Sequence, residues 1–187
     1  IITGIIQQDA TTVYNISVGS GGSAGKNGVS SSISKYNYLK WATSTQGINL
    51  PQGIIIYNGY LYVSNLNNII SKISITDPTT DYKPIWATYY QGLNQPSGMA
   101  ISNGYLYVCN YDFSNDVIIR IQINTDGSRG SYNSSWATST HGLNVNIGLL
   151  IYNGYIYVAN NGNSSISQIS LINTNSDYNP SWATSSQ

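Results

Sequence analysis

The chain of 187 residues contains no glutamate, one cysteine, one histidine, one methionine and one phenylalanine. Each scarcity removes a class of chemistry. Lone Cys109 cannot close an intramolecular disulfide. Its position inside Tyr-Val-Cys-Asn is taken by Ser64 and Ala159 elsewhere in the chain, so it reads as a small core residue and not a nucleophile. Only 7% of residues are charged, seven Lys and Arg balancing seven Asp, against roughly a quarter in ordinary globular domains. No basic patch exists to neutralise phosphates, so nucleic acid is not an expected partner. No apolar run reaches the ~20 residues of a membrane-spanning helix, so membrane insertion is not expected. A chain of zero formal net charge repels copies of itself weakly, and self-association is expected. Beginning at Ile1, it reads as a processed product or part of a longer polypeptide. Its surplus of Asn, Ile and Tyr suggests an AT-rich coding genome.

What is abundant is repetition. Trp-Ala-Thr-Ser or a close variant opens at Trp41, Trp86, Trp136 and Trp182, at spacings of 45, 50 and 46 residues. Between these landmarks a second phrase recurs. It runs Tyr57-Asn-Gly-Tyr-Leu-Tyr-Val-Ser-Asn65, Ser102-Asn-Gly-Tyr-Leu-Tyr-Val-Cys-Asn110 and Tyr152-Asn-Gly-Tyr-Ile-Tyr-Val-Ala-Asn160. Asn-Gly between two β-branched or aromatic runs predicts a two-residue hairpin, because a type I′ turn needs positive φ at both central residues. In one repeat, 51–56 reads as a buried strand and 60–64 as the second, with tyrosines on one face and Leu61 and Val63 on the other. Residues 69–75 supply the third, and the segment around Trp86 the fourth.

A period of this length filled with four short strands predicts an all-β chain: a β-propeller with four four-stranded antiparallel blades, at about 1–44, 45–89, 90–139 and 140–187. The first repeat is diverged, lacks Asn-Gly, and carries a glycine-rich insertion at 19–28 expected to be irregular. Because the phase of the repeat leaves no spare strand, closure is expected by face packing of four blades, by further blades, or by a second copy.

Pro-x-Gly-Ile, then Gly-x-Leu-Tyr-Val-x-Asn, then Ile-x-x-Ile, over about residues 45–187, resembles the NHL-repeat propellers. The resemblance implies the propeller fold and spans scaffolds, ligand binders and a few enzymes. Where that family usually carries Asp, this chain has Asn65, Asn110 and Asn160. Related propeller enzymes depend on a Glu carboxylate or several histidines around a metal. This chain has no Glu, and its one histidine, His141, stands where Gln46 and Gln91 stand in sister repeats. No catalytic residue, cofactor or metal is therefore expected.

The candidate binding face is formed by the loops at 65–68, 110–116 and 160–165 and those leading into each first strand. Its named residues are Asn65, Asn67, Asn68, Asn110, Asp112, Asp116, Asn160, Asn161 and Asn163. Asp112 and Asp116 share a loop, as an acid/base pair or Ca²⁺ ligands would, but no further carboxylates stand beside them. The aromatic rows Trp41, Trp86, Trp136, Trp182, Tyr60, Tyr62, Tyr105, Tyr107, Tyr155 and Tyr157 have two readings. Equivalent large side chains fill equivalent gaps between blades, or flat rings stack on sugars; packing is preferred. Asn15, Asn133 and Asn163 open N-x-[ST] sequons, of the kind chance supplies in an Asn- and Ser-rich chain. The expectation is a non-enzymatic propeller scaffold, a structural or protein-interaction module on an extracellular or virion surface. Its partners would be other protein subunits or further blades. The alternative is a carbohydrate-binding propeller for neutral glycans.

Overall fold

The computed structural model describes residues 2–9, 12–18, 32–35, 41–111 and 116–185, with only backbone described for the first three segments. Residues 19–28 and Asp112 lie outside the described residues. The chain divides into two compact units, Ile1–Trp41 and Ala42–Gln187.

The first unit holds a three-stranded antiparallel sheet of β1 (Ile2–Asp9), β2 (Thr12–Val18) and β3 (Ser32–Lys35), in that order. Four four-stranded blades are therefore not what the described residues show: three sheets have four strands and this one has three. The reason is legible in the spacing. From Ser74, at the end of a third strand, to Trp86 is twelve positions, and the same holds from Ser170 to Trp182. From Lys35 to Trp41 is six. Trp41 itself lies in a bend.

The second unit contains three four-stranded antiparallel meanders. The first comprises β4 (Pro51–Tyr57), β5 (Tyr60–Asn65), β6 (Ile69–Ser74) and β7 (Tyr82–Ala87). The second comprises β8 (Pro96–Ser102), β9 (Tyr105–Asn110), β10 (Ile118–Ile123) and β11 (Arg129–Ala137). The third comprises β12 (Asn146–Tyr152), β13 (Tyr155–Asn160), β14 (Ser165–Ser170) and β15 (Tyr178–Thr184). Single 3-10 turns at Ser44–Gln46, Tyr89–Gln91 and Ser139–His141 lead into each first strand. No α-helix occurs among the described residues.

The first two strands of each sheet are joined by Asn58-Gly59, Asn103-Gly104 and Asn153-Gly154, all six residues at positive φ. This is the type I′ geometry that Asn-Gly favours. The resulting register, Ile55 opposite Tyr62, Ala100 opposite Tyr107 and Leu150 opposite Tyr157, fixes which residues share a face.

The sheets pack face to face, with β4 beside β8 and β8 beside β12. Tyr62, Ile70 and Trp86 on one face of the first meander meet Met99, Leu106, Val108, Ile119 and Ile121 on the facing side of the second. The second repeats the arrangement against the third, with Tyr107, Ile118 and Trp136 meeting Leu149, Ile156, Val158 and Ile169. First strands side by side with stacked meanders outside them is the arrangement of propeller blades. Two glycines set how closely the first strands approach. A Cβ on Gly53 would stand 2.5 Å from Ser97 O, and one on Gly98 2.7 Å from Gly148 Cα. The strands are also tied across the sheets: Ser64 Oγ donates to Ser97 O at 2.6 Å, and Ser97 Oγ to Asn146 O at 3.3 Å.

Candidate functional site

The asparagines that end each second strand were expected on a binding face. The structure puts Asn65, Asn110 and Asn160 in the interior. Each Oδ1 accepts a backbone N–H from the loop entering its own sheet: Asn49 at 2.9 Å, Asn94 at 3.1 Å and Asn144 at 3.2 Å. The Nδ2 groups donate inward, from Asn65 to Ser71 Oγ, from Asn110 to Gly92 O, and from Asn160 to Ser165 and Ser167 Oγ. A buried amide that donates and accepts at once satisfies groups that would otherwise be orphaned. These three side chains are loop latches, fully used within the fold.

Asn68 and Asp116 form a second set of latches, between sheets. Asn68 Oδ1 accepts from Gln95 N at 2.7 Å, and Asp116 Oδ1 from Val145 N at 2.7 Å. The carboxylate that the sequence offered for metal or acid/base work is thus engaged with backbone. Asn67, Asn161 and Asn163 remain exposed, with Asn163 Oδ1 accepting from Ser165 Oγ. No group of three His, Cys, Asp or Glu side chains able to hold a metal occurs among the described residues.

His141 is buried and repeats the role of a glutamine. Gln46 Oε1 accepts from Thr43 N at 2.9 Å and its Nε2 donates to Pro78 O at 3.1 Å. Gln91 Oε1 likewise accepts from Thr88 N at 2.9 Å. In His141, Nδ1 accepts from Thr138 N at 3.1 Å, which leaves the proton on Nε2 to be donated to Thr174 O at 3.2 Å. The sequence signal was a capping-box spacing, Thr-x-x-Gln at 43–46 and 88–91 and Thr-x-x-His at 138–141. Read as loop, it went unrecognised as a helical-turn start. Replacing His141 by Gln is expected to leave stability within about 0.5 kcal/mol. Replacement by Ala should cost about 1–3 kcal/mol, because Thr138 N and Thr174 O lose their partners. Urea unfolding midpoints check this, and equal losses in both variants would contradict the hydrogen-bond account.

Of the aromatic rows, Tyr62, Trp86, Tyr107 and Trp136 are buried in the interior, while Trp41 and Trp182 are exposed. Tyr62 and Trp86 meet edge to face at 5.1 Å, Tyr107 and Trp136 at 4.9 Å, and Tyr157 and Trp182 at 5.1 Å. Trp86 and Trp136 are only 5% and 7% exposed. Burial pushes the Tyr62 hydroxyl up to about 12 and the Cys109 thiol up to about 12, which leaves both protonated and inert near neutrality. Tyr60 and Tyr155 reach the sheet ends, donating to Asp81 Oδ2 and Asp177 Oδ2 at 2.8 and 3.0 Å, and Tyr105 lies under the Arg120 guanidinium. Even the cations are taken up between elements. Lys72 Nζ stands 3.7 Å over the Tyr60 ring and donates to Gly127 O, and burial lowers its pKa. Arg129 donates to Gln91 Oε1 at 2.7 Å.

Trp182 differs from Trp86 and Trp136. It is 45% exposed, with Leu150 and Tyr152 beside it at 60% and 63%. Together with Tyr157 and Ile166 they line an open apolar recess of about 480 Å³ on the outer face of the third meander. At the opposite end of the unit, β4 exposes Ile54 and Ile56. A uniformly buried first strand, as expected for 51–56, is seen in none of the three sheets; the middle one comes nearest, with Pro96, Ser97, Met99 and Ala100 buried.

The fold defines a class: an all-β repeat of four-stranded antiparallel meanders with propeller-type stacking. No family model and no curated protein matches the chain. Among solved structures it is similar to a chain of a nidogen/laminin complex, at 16% identity and a TM-score of 0.44 over 90% of this chain and 75% of that one. It is also similar to apo AztD from Citrobacter koseri, at 12% identity and a TM-score of 0.44 over 93% of this chain and 43% of AztD.

Proposed function

We propose that this protein is a non-enzymatic scaffold of NHL-like propeller repeats, a structural or protein-interaction module working on an extracellular or virion surface. One observation carries the reading. The asparagines that recur at the end of the second strand in the three meanders are engaged inside the fold, while a contiguous uncharged apolar sheet face around Leu150, Tyr152 and Trp182 stands open. Contiguous apolar patches on a folded protein mark interaction sites more often than chemistry. The glycan-binding alternative draws on the same exposed Trp182, but Trp86 and Trp136 are spent on packing.

The test is functional screening of the purified chain. No turnover of ester, lactone, glycoside or phosphate-ester panels is expected, and no saturable retention on neutral polysaccharide columns. Turnover in any panel would overturn the scaffold reading. Retention abolished by Trp182→Ala would replace it with the lectin.

A further inference from the structure

We infer that the open face of the third meander is a docking site for a second copy of this chain, whose β4 face seats on it in a head-to-tail contact. The inference rests on the interaction-module reading and names the partner. It starts from an interface that the molecule already makes twice. In each case one sheet presents Tyr and Trp from its second and fourth strands, and the next sheet presents small or branched aliphatic residues from its first and second. Strand register extends the equivalence to both ends of the unit. Leu150, opposite Tyr157, corresponds to Ile55, opposite Tyr62, and Tyr152 corresponds to Tyr57. Ile54, opposite Val63, corresponds to Met99 and Leu149, opposite Val108 and Val158. Ile56 corresponds in the same way to Ile101 and Ile151.

Both halves of a third such interface are therefore displayed by one chain, at opposite ends. Ile54 and Ile56 are 69% and 64% exposed, whereas their counterparts Met99 and Ile101 belong to a packed core. The glycine of the first strand gives an independent sign. The space beside Gly53 and Gly98 is filled by the neighbouring first strand, but a Cβ on Gly148 would meet nothing within 4 Å. Gly148 keeps the clearance for an approaching strand that the three meanders of the second unit do not supply there. Charge raises no barrier, since the chain's formal net charge is zero. Because the two faces differ, the contact is heterologous. Repeated, it closes a ring or extends a filament.

The experiment uses the full chain and the mass observed by sedimentation equilibrium over a concentration series. The wild type should associate beyond a dimer as concentration rises. Leu150→Asp and Ile54→Asp each remove one face and should each be monomeric, with unchanged circular dichroism since both side chains are exposed. Leu150→Thr and Ile54→Thr serve if an Asp variant misfolds. A 1:1 mixture of the two Asp variants should form a dimer and stop there, because only one competent pair of faces remains. A wild type that stays monomeric throughout overturns the inference. So does association lost in Leu150→Asp but retained in Ile54→Asp, which would mean like faces meeting. A monomeric chain leaves the interaction reading to the turnover and retention screens. Turnover would sink that reading without touching the masses.

Discussion

Trp86→Ala is expected to cost roughly 3–5 kcal/mol of stability, and Trp182→Ala less than about 1 kcal/mol, although the two residues occupy the same place in the first and third meanders. Trp86 is buried between the first and second meanders, edge-on to Tyr62. Its Nε1–H donates to Gly127 O at 3.1 Å, holding the β10–β11 turn of the next sheet against the first. Truncation would open a cavity at the sheet interface and remove one of the two donors to Gly127, Lys72 being the other. Trp182 makes the same ring contact with Tyr157, but its other side has no sheet to fill. Urea unfolding of each variant in a Leu150→Asp background keeps self-association out of the comparison. Equal losses at the two positions would show that the Tyr–Trp pair acts within a sheet, and that packing between sheets is not what makes the tryptophan necessary.

That contrast also marks where the sequence is legible. The three Asn-Gly hairpins could be read directly, since positive φ at two consecutive positions leaves few residue choices. Tyr62 and Leu61 could be assigned to opposite faces because strand periodicity is two. The fate of a face was harder to read, because a repeat pattern states what each sheet offers and not whether a neighbour is there. Trp86 and Trp182 share the motif Pro-x-Trp-Ala-Thr and differ in exposure for that reason. The first repeat failed differently. Trp41 matches the motif, but only six positions separate it from Lys35 and it lies in a bend, while the described first sheet has three strands. Asn65, Asn110 and Asn160 looked like ligand groups because polar loop residues usually face water. What gave them away only in three dimensions is a long-range partner, a backbone N–H sixteen residues back. Val145 shows the same blindness. A β-branched residue at φ 50 is unfavourable, yet Val145 shares this conformation with Leu50 and Gln95 at the equivalent loop positions, and Asp116 Oδ1 accepts its N–H.

Asn110→Asp should be the most damaging single-atom-scale change in the chain, about 2–5 kcal/mol at neutral pH, and its cost should vanish in acid. Asn110 is fully buried. Its Oδ1 accepts from Asn94 N at 3.1 Å while Nδ2 donates to Gly92 O at 2.9 Å. An aspartate keeps the acceptor but replaces the donor with an ionised oxygen facing a carbonyl oxygen. Both the desolvation of the charge and the repulsion between the two oxygens disfavour the carboxylate. Protonation reverses this, because a neutral carboxyl can donate to Gly92 O as the amide does. The folded-state pKa must therefore lie above the unfolded value of about 4. The penalty is complete above the folded pKa, shrinks as pH falls through it, and is gone below the unfolded one. The exposed Asn67 supplies the control: Asn67→Asp should change stability by less than about 0.5 kcal/mol at any pH between these limits. Unfolding midpoints for both variants, measured from acid to neutral pH, decide the matter. If Asn110→Asp matches the wild type at neutral pH, the asparagine is no latch and the loop must accommodate a carboxylate. In that event the Asn-for-Asp difference from the repeats this chain resembles would be neutral drift. If the acid-reversible loss appears, this loop geometry demands a group that donates and accepts together, and asparagine meets that demand without a charge.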